Sequence, residues 1–171
     1  MASTLREEHP DFEELLCEID CVRAHNFEIE RGASRLHRLR VAEGALILVA
    51  LERFLRIVLE DRATGSDTLH NLLEKAASGN DPMIRRDEVM IKLLTTVRNV
   101  TMHGNFEQGA ANYKHKFPER TAMPERTVTD YLQTSFGNDT AVIYGYLLAL
   151  VGKFDEACAR DHMTAYRAAS L

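Results

Sequence analysis

Apolar residues recur every three or four positions along most of the chain, with charged residues between them, and this spacing predicts amphipathic α-helices. Five helices follow from the pattern, over about 10–26, 34–62, 66–79, 81–103 and 138–166. Gly44 interrupts the longest of them, and it either weakens that helix by about 1 kcal/mol or marks the close approach of another helix. No alternating run is long enough to indicate a sheet. The sequence therefore predicts an all-α fold, an up-and-down bundle of about five helices.

The segment from 105 to 138 loses this periodicity. Gly109, Pro118, Pro124 and Gly137 fall within it, among interleaved charges. We expect a long irregular insertion there, with one short helix near 128–136, before the last helix of the bundle. Irregular segments of this length inside a compact domain are uncommon and are often functional. The length of 171 residues fits a single domain, 1–171, that contains this insertion.

Composition and charge narrow the classes of function. The chain is 45% hydrophobic and 27% charged, as is typical of a folded globular protein. Its net charge of −5 argues against nonspecific coating of nucleic acid, but it leaves open an enzyme that grips a few phosphates locally. The N-terminus has no apolar stretch of the signal-peptide kind, and the most apolar run, 44–51, is too short to span a membrane. We expect a cytoplasmic protein that does not contact a membrane.

The cysteines give no sign of a disulfide framework or a metal site. Cys17, Cys21 and Cys158 make an odd count, and no further Cys/His pair at zinc-finger spacing follows the first two. His37 and His70 have no cysteine or carboxylate partners at metal-ligand spacing. We therefore expect the cysteines to be small buried hydrophobic residues in a reducing cytosol, and we expect no metal and no cofactor. No glycine-rich phosphate loop supports nucleotide hydrolysis or dinucleotide binding.

The candidate catalytic residues are Arg98, Asn99 and His103, which interrupt an otherwise strongly apolar helix. Asn99 and His103 are four residues apart and share one helix face, and Arg98 lies on the adjoining surface. A polar cluster in this place would meet either solvent or a partner helix. The simpler interpretation is that Arg98 and His103 satisfy carbonyl groups at the helix end and complement the helix dipole.

The string R-N-V-T-M-H-G-N at 98–105, at the end of a helix that follows a long antiparallel helix pair, resembles the ribonuclease motif of the HEPN superfamily. The helix layout from Arg35 to Phe154 also fits, so the resemblance covers most of the chain. It implies a metal-independent endoribonuclease in which two protomers bring both copies of the motif together about a two-fold axis. His103 would move the protons, since imidazole has a pKa of roughly 6.5 in model peptides. Arg98 would hold the phosphate, and Asn99 would orient the imidazole or the phosphate.

The resemblance also implies partners. They are a second copy of the chain, an RNA substrate and, in a toxin or defence role, a cognate antitoxin protein. In the branch paired with a nucleotidyltransferase antitoxin, a Tyr stands two residues after the His, whereas this chain has Asn105, so a Tyr-modifying antitoxin does not follow. Two alternatives stay open. One is a noncatalytic helical module that binds RNA, a nucleotide or a protein partner, and the other is a structural dimerisation domain.

A basic stretch inside the predicted insertion is the candidate substrate-binding region. Its cationic residues are Lys114, His115, Lys116, Arg120 and Arg126. One interpretation is a loop that grips RNA phosphates beside the catalytic residues, with Tyr113 or Phe117 available to stack on bases. The other is an ordinary solvated loop.

Overall fold

A computed structural model describes residues 4–30, 36–78, 87–104, 106–118 and 128–168. These residues form eight α-helices and no strand, which confirms the predicted all-α bundle. The helices are α1 (Leu5–Glu8), α2 (Pro10–Glu30), α3 (Leu36–Leu59), α4 (Leu69–Ala77), α5 (Glu88–His103), α6 (Phe106–Lys116), α7 (Val128–Val151) and α8 (Glu156–Ala168). A 3₁₀ turn, Glu60–Arg62, follows α3.

The bundle is organised around α3, which packs against α2, α4, α5 and α7. Further contacts pair α8 with α2 and α7, α6 with α5 and α7, α5 with α7, and α1 with α2. The core includes Phe12, Leu51, Phe54 and Tyr144, all fully buried, and the rings of Phe12 and Phe54 lie 5.8 Å apart between centroids. Each such apolar side chain contributes about 1.5–3 kcal/mol when it leaves water, so burial of the whole apolar core is a large favourable contribution to folding.

Gly44 allows three helices to meet closely. A Cβ at this position would lie 3.2 Å from Cζ of Phe136 on α7, and 3.4 and 3.5 Å from side-chain carbons of Thr101 and Val97 on α5. Of the two interpretations of Gly44, the close approach of other helices is therefore correct. The contact fixes the C-terminal half of α5 on the core.

The ends of α5 are set by two residues. The carboxylate of Asp87 accepts hydrogen bonds from the backbone N–H groups of Val89 and Met90, so the described helix begins at Glu88 and not near 81. Residues 79–86 lie outside the described residues. At the other end Gly104 has φ of 59°, the left-handed conformation that glycine adopts without strain, and its N–H donates to the carbonyl of Val100 at 2.9 Å.

The segment predicted as an irregular insertion is mostly helical. It contains α6, and α7 begins at Val128, so the short helix expected near 128–136 is continuous with the last long helix. The cause lies in packing, because Ala110, Tyr113 and Phe117 recur at helical spacing and are buried. Glycine and charge had masked this pattern in the sequence. Residues 119–127, which include Arg120 and Arg126, lie outside the described residues.

The predicted last helix is broken into α7 and α8. Its apolar pattern continues through the break, but the chain turns between Val151 and Glu156. Asp155 stabilises the turn, because its buried carboxylate accepts from the N–H of Cys158 at 2.9 Å and from the N–H of Leu5 at 3.0 Å. The same side chain thus caps α8 and ties the beginning of the chain to it.

In the part of the chain that the structure describes, no helix combines the length and the apolar character that a membrane crossing needs.

Candidate functional site

The last two turns of α5 carry the three candidate catalytic residues. Arg98 and His103 are exposed, and Asn99 is half-buried. The opposite face of α5 is buried through Val97 and Val100, and this contact orients the helix. The polar side chains therefore stand on the outer surface of a helix that is rigidly packed on its inner side.

None of these three side chains makes a hydrogen bond or an ion pair within the described residues. The guanidinium of Arg98 and the imidazole of His103 thus donate to no carbonyl of the helix end. The part of the simpler interpretation that has them satisfy carbonyl groups therefore has no contact to support it, whereas His103 does lie in the last turn, where a basic residue complements the helix dipole. Their hydrogen-bonding capacity is available to a ligand or to a second protein chain.

Helix geometry sets how the three are arranged in one protomer. Asn99 and His103 lie about 40° apart around the axis of α5, whereas Arg98 and His103 lie about 140° apart and about 7.5 Å apart along it. The next residue on the face of Arg98 is Met102, which is 70% exposed. A single protomer therefore presents Arg98 and His103 on different sides of the same helix end.

A groove runs beside Arg98, between α4 and α5. Its volume is about 290 Å³, and its lining includes Thr68 and His70 at the start of α4 and Leu94, Thr95 and Arg98 on α5. His70 is exposed. Its position in a groove shared with Arg98 could not be predicted, because the two residues belong to separate helices whose packing is not visible in the sequence.

The predicted substrate-binding lysines lie on α6, which runs back along α5. A Cβ on Gly109 would overlap the side chain of Val100, so the two helices are in close contact at this point. Near the end of α6, burial lowers the pKa of Lys116, and the positive charge of Lys92 on α5 lowers it further. Lys116 therefore lies beside the first half of α5 and not beside the C-terminal end, where His103 lies.

This direction separates the lysines from the candidate catalytic residues. Lys92 precedes His103 by about 16 Å along the axis of α5, at 1.5 Å per residue. Lys114 is exposed and Lys116 is half-buried, and both lie toward that far end of the helix pair. The structure therefore does not bring them beside His103. Arg120 and Asn105 lie outside the described residues.

The two aromatic residues considered for base stacking are part of the core. Tyr113 and Phe117 are each 2% exposed, and their ring centroids lie 4.8 Å apart. They form the inner face of α6, so the prediction that they could stack on bases was wrong.

Comparison of the chain with models of known families, with curated proteins and with solved structures finds no match.

Proposed function

We propose that the protein is a metal-independent endoribonuclease of the HEPN type, with a composite active site formed where two protomers bring their copies of Arg98, Asn99 and His103 together. One observation carries the proposal. Arg98 and His103 are exposed at the end of a rigidly packed helix, and within the described residues neither side chain has a hydrogen-bond or ion-pair partner. Exposed Met102, beside them, adds an apolar surface of the kind that a second protomer would cover.

The chemistry explains why a second protomer is needed. In the reaction, the ribose 2′-oxygen loses its proton and attacks phosphorus, the bond from phosphorus to the 5′-oxygen breaks, and the leaving oxygen takes up a proton. The products are a 2′,3′-cyclic phosphate and a 5′-hydroxyl. One imidazole cannot accept the first proton and donate the second in the same step, so His103 of one protomer acts as the base and the partner's His103 acts as the acid.

Arg98 supplies the positive charge. Its guanidinium is charged at every physiological pH and binds phosphate oxygens in a bidentate manner, so it stabilises the charge that develops on the phosphate. Because Arg98 and His103 of one protomer point to different sides of α5, each phosphate would be held by groups from both chains. The groove beside Arg98 is large enough for a base or a ribose, and Lys114 would bind the RNA strand further along α5.

The test uses the purified full-length chain with RNA of mixed sequence in EDTA. We expect cleavage that falls by roughly 10²–10⁴-fold in His103→Ala, and by a comparable factor in Arg98→Ala. Matched controls are His25→Ala and Arg167→Ala, which remove the same exposed side chains from α2 and α8 and should cleave like the wild type. Circular dichroism on every sample shows whether a loss of cleavage is a loss of folding.

Three results would contradict the proposal. RNA that is bound but left intact by the wild type would favour the noncatalytic module. A protein that light scattering shows to be monomeric at the assay concentration would remove the second imidazole. A cleavage rate that changes monotonically with pH, instead of passing through a maximum between about 5.5 and 8, would exclude an acid and base pair of imidazoles.

A further inference from the structure

A second polar cluster is buried where α2, α7 and α8 meet. Nδ1 of His162 lies 2.6 Å from Oδ2 of Asp20, and the hydroxyl of Tyr144 donates to the other oxygen of Asp20 at 2.7 Å. Sγ of Cys158 donates to Oε2 of Glu13 at 3.1 Å, and Nε2 of His162 lies 3.3 Å from the same oxygen. The donor atoms of Glu13, Cys158 and His162 all lie within 4.8 Å of one another.

Helix geometry explains why these side chains converge. Cys158 and His162 are four residues apart on α8, so they share the face that packs on α2, and they are 2% and 4% exposed. Glu13 and Asp20 are seven residues apart, about two turns, on the facing side of α2. The prediction that all three cysteines are buried was wrong for Cys17 and Cys21, which are exposed, and right for Cys158.

The imidazole of His162 lies between two carboxylates, with Asp20 at Nδ1 and Glu13 at Nε2. Nε2 is buried, and its 3.3 Å contact with Oε2 of Glu13 does not have hydrogen-bond geometry. Burial acts to lower the pKa of His162, but the hydrogen bond with Asp20 and the charges of Asp20 and Glu13 outweigh it and raise the pKa, so a cation at Nε2 would have to displace a proton. With that proton lost, a histidine that keeps a carboxylate on the other ring nitrogen has the usual form of a metal-binding histidine with its supporting group.

The carboxylate of Glu13 is also held in place by its neighbours. Its Oε1 atom accepts from Nε of Arg6 at 2.9 Å, which fixes the carboxylate and leaves Oε2 facing Cys158 and His162. Burial acts to raise the pKa of Glu13, but the hydrogen bonds from Cys158 and Arg6 and the charge of His162 outweigh it, so its pKa lies below the ordinary value. Burial raises the pKa of the Cys158 thiol, so a cation would have to displace its proton.

We propose that Glu13, Cys158 and His162 bind one divalent ion of the zinc class, which cross-links α2 to α8. Tetrahedral zinc with its usual bond lengths holds its ligand atoms roughly 3.4–3.6 Å apart, close to the separations of Oε2 from Sγ and from Nε2. One thiolate, one carboxylate and one neutral imidazole balance the charge of the ion, and the protons displaced from the thiol and from Nε2 of His162 pass to solvent. Asp20 acts as a positioning residue, and the fourth ligand is a water molecule.

This inference does not depend on the proposed ribonuclease activity. The cluster lies on α2 and α8, whereas the candidate catalytic residues lie on α5, which packs on α3, α6 and α7. The ion would have a structural role, holding the first long helix to the last helix.

The test is a Co²⁺ titration of the full-length chain after reduction and removal of metal by a chelator. We expect one equivalent of Co²⁺ to bind, to give the near-ultraviolet charge-transfer band of a cobalt–thiolate bond, and to be displaced by Zn²⁺. Cys158→Ser should abolish the band, and His162→Gln should weaken binding by at least about tenfold. Asp20→Asn should weaken binding by about 10–100-fold and keep the band, since a supporting carboxylate is lost but no ligand is.

The double variant Cys17→Ser/Cys21→Ser is the matched control. It removes both exposed thiols and keeps Cys158 as the remaining cysteine, so it should show the same band and affinity as the wild type. The double variant keeps the proposal testable even if the ligand variants fail to fold. A cobalt complex of the double variant without a thiolate band would overturn the proposal. So would a Cys158→Ser protein that binds Co²⁺ as tightly as the wild type. Arg98→Ala and His103→Ala should bind Co²⁺ normally, whatever they do to RNA cleavage.

Discussion

The contact between Gly109 on α6 and Val100 on α5 allows a sharp test of how α5 is held in place. Replacing a helix-interior glycine by alanine ordinarily stabilises a protein by about 1 kcal/mol, because alanine restricts the unfolded chain and favours the helix. At Gly109, however, the added Cβ would overlap the side chain of Val100, which is fully buried. Overpacking of a well-packed core costs about 1–3 kcal/mol. We therefore expect Gly109→Ala to lose between about 0 and 2 kcal/mol of unfolding free energy.

Gly145 provides the matched control. It also lies inside a long helix, α7, but a Cβ there would have no atom within 4 Å. Gly145→Ala should therefore gain about 1 kcal/mol, so that the two variants differ by about 1–3 kcal/mol. For a chain of this length that corresponds to a difference of about 2–4 °C in Tm per kcal/mol.

The unfolding free energy of both variants is measured by urea unfolding, monitored by circular dichroism. A third variant tests whether the overlap with Val100 causes the difference. In Gly109→Ala/Val100→Ala the valine methyl groups that oppose the new Cβ are gone, so the double variant should be more stable than the sum of the single effects predicts. If Gly109→Ala and Gly145→Ala stabilise the protein equally, or if the double variant is strictly additive, α6 does not contact α5 as the structure shows.

Three further predictions concern other parts of the fold. Asp155→Ala should cost about 2–4 kcal/mol in urea unfolding, because it removes a helix cap and leaves the buried N–H of Leu5 without an acceptor, while Asp155→Asn should lose less. Gly104→Ala should cost about 1 kcal/mol from backbone strain alone, since φ is 59° and no atom lies within 4 Å of the added Cβ, and an unchanged Tm would contradict this. The hydrogen bond from Lys75 and that from the N–H of Thr64 lower the pKa of Asp67 from 3.8 to about 2. Its contribution is therefore present above the ordinary pKa and is lost as pH falls toward 2, so the stability difference between wild type and Asp67→Asn should shrink over that range in urea unfolding at graded pH.

The periodicity of apolar residues determined the helical class and the approximate position of the long helices. It also placed Arg98, Asn99 and His103 at a helix end, because the glycine after them ends the helix through a local backbone preference. Signals of this kind act between residues a few positions apart, so they can be read from the sequence without knowledge of the tertiary structure. The same signals misled at 105–138, where glycine and charge on the outer face of α6 masked the inner face formed by Ala110, Tyr113 and Phe117.

Only the tertiary structure decided which residues meet. The break between α7 and α8 depends on Asp155, whose partner Leu5 lies near the other end of the chain. The cluster on α2 and α8 joins Glu13 to Cys158 and His162, and no spacing rule links residues that far apart. Likewise, because α6 runs back along α5, Lys116 lies far from His103. Contacts between distant segments arise from the burial of complementary helix faces, and that pairing is a property of the folded molecule as a whole.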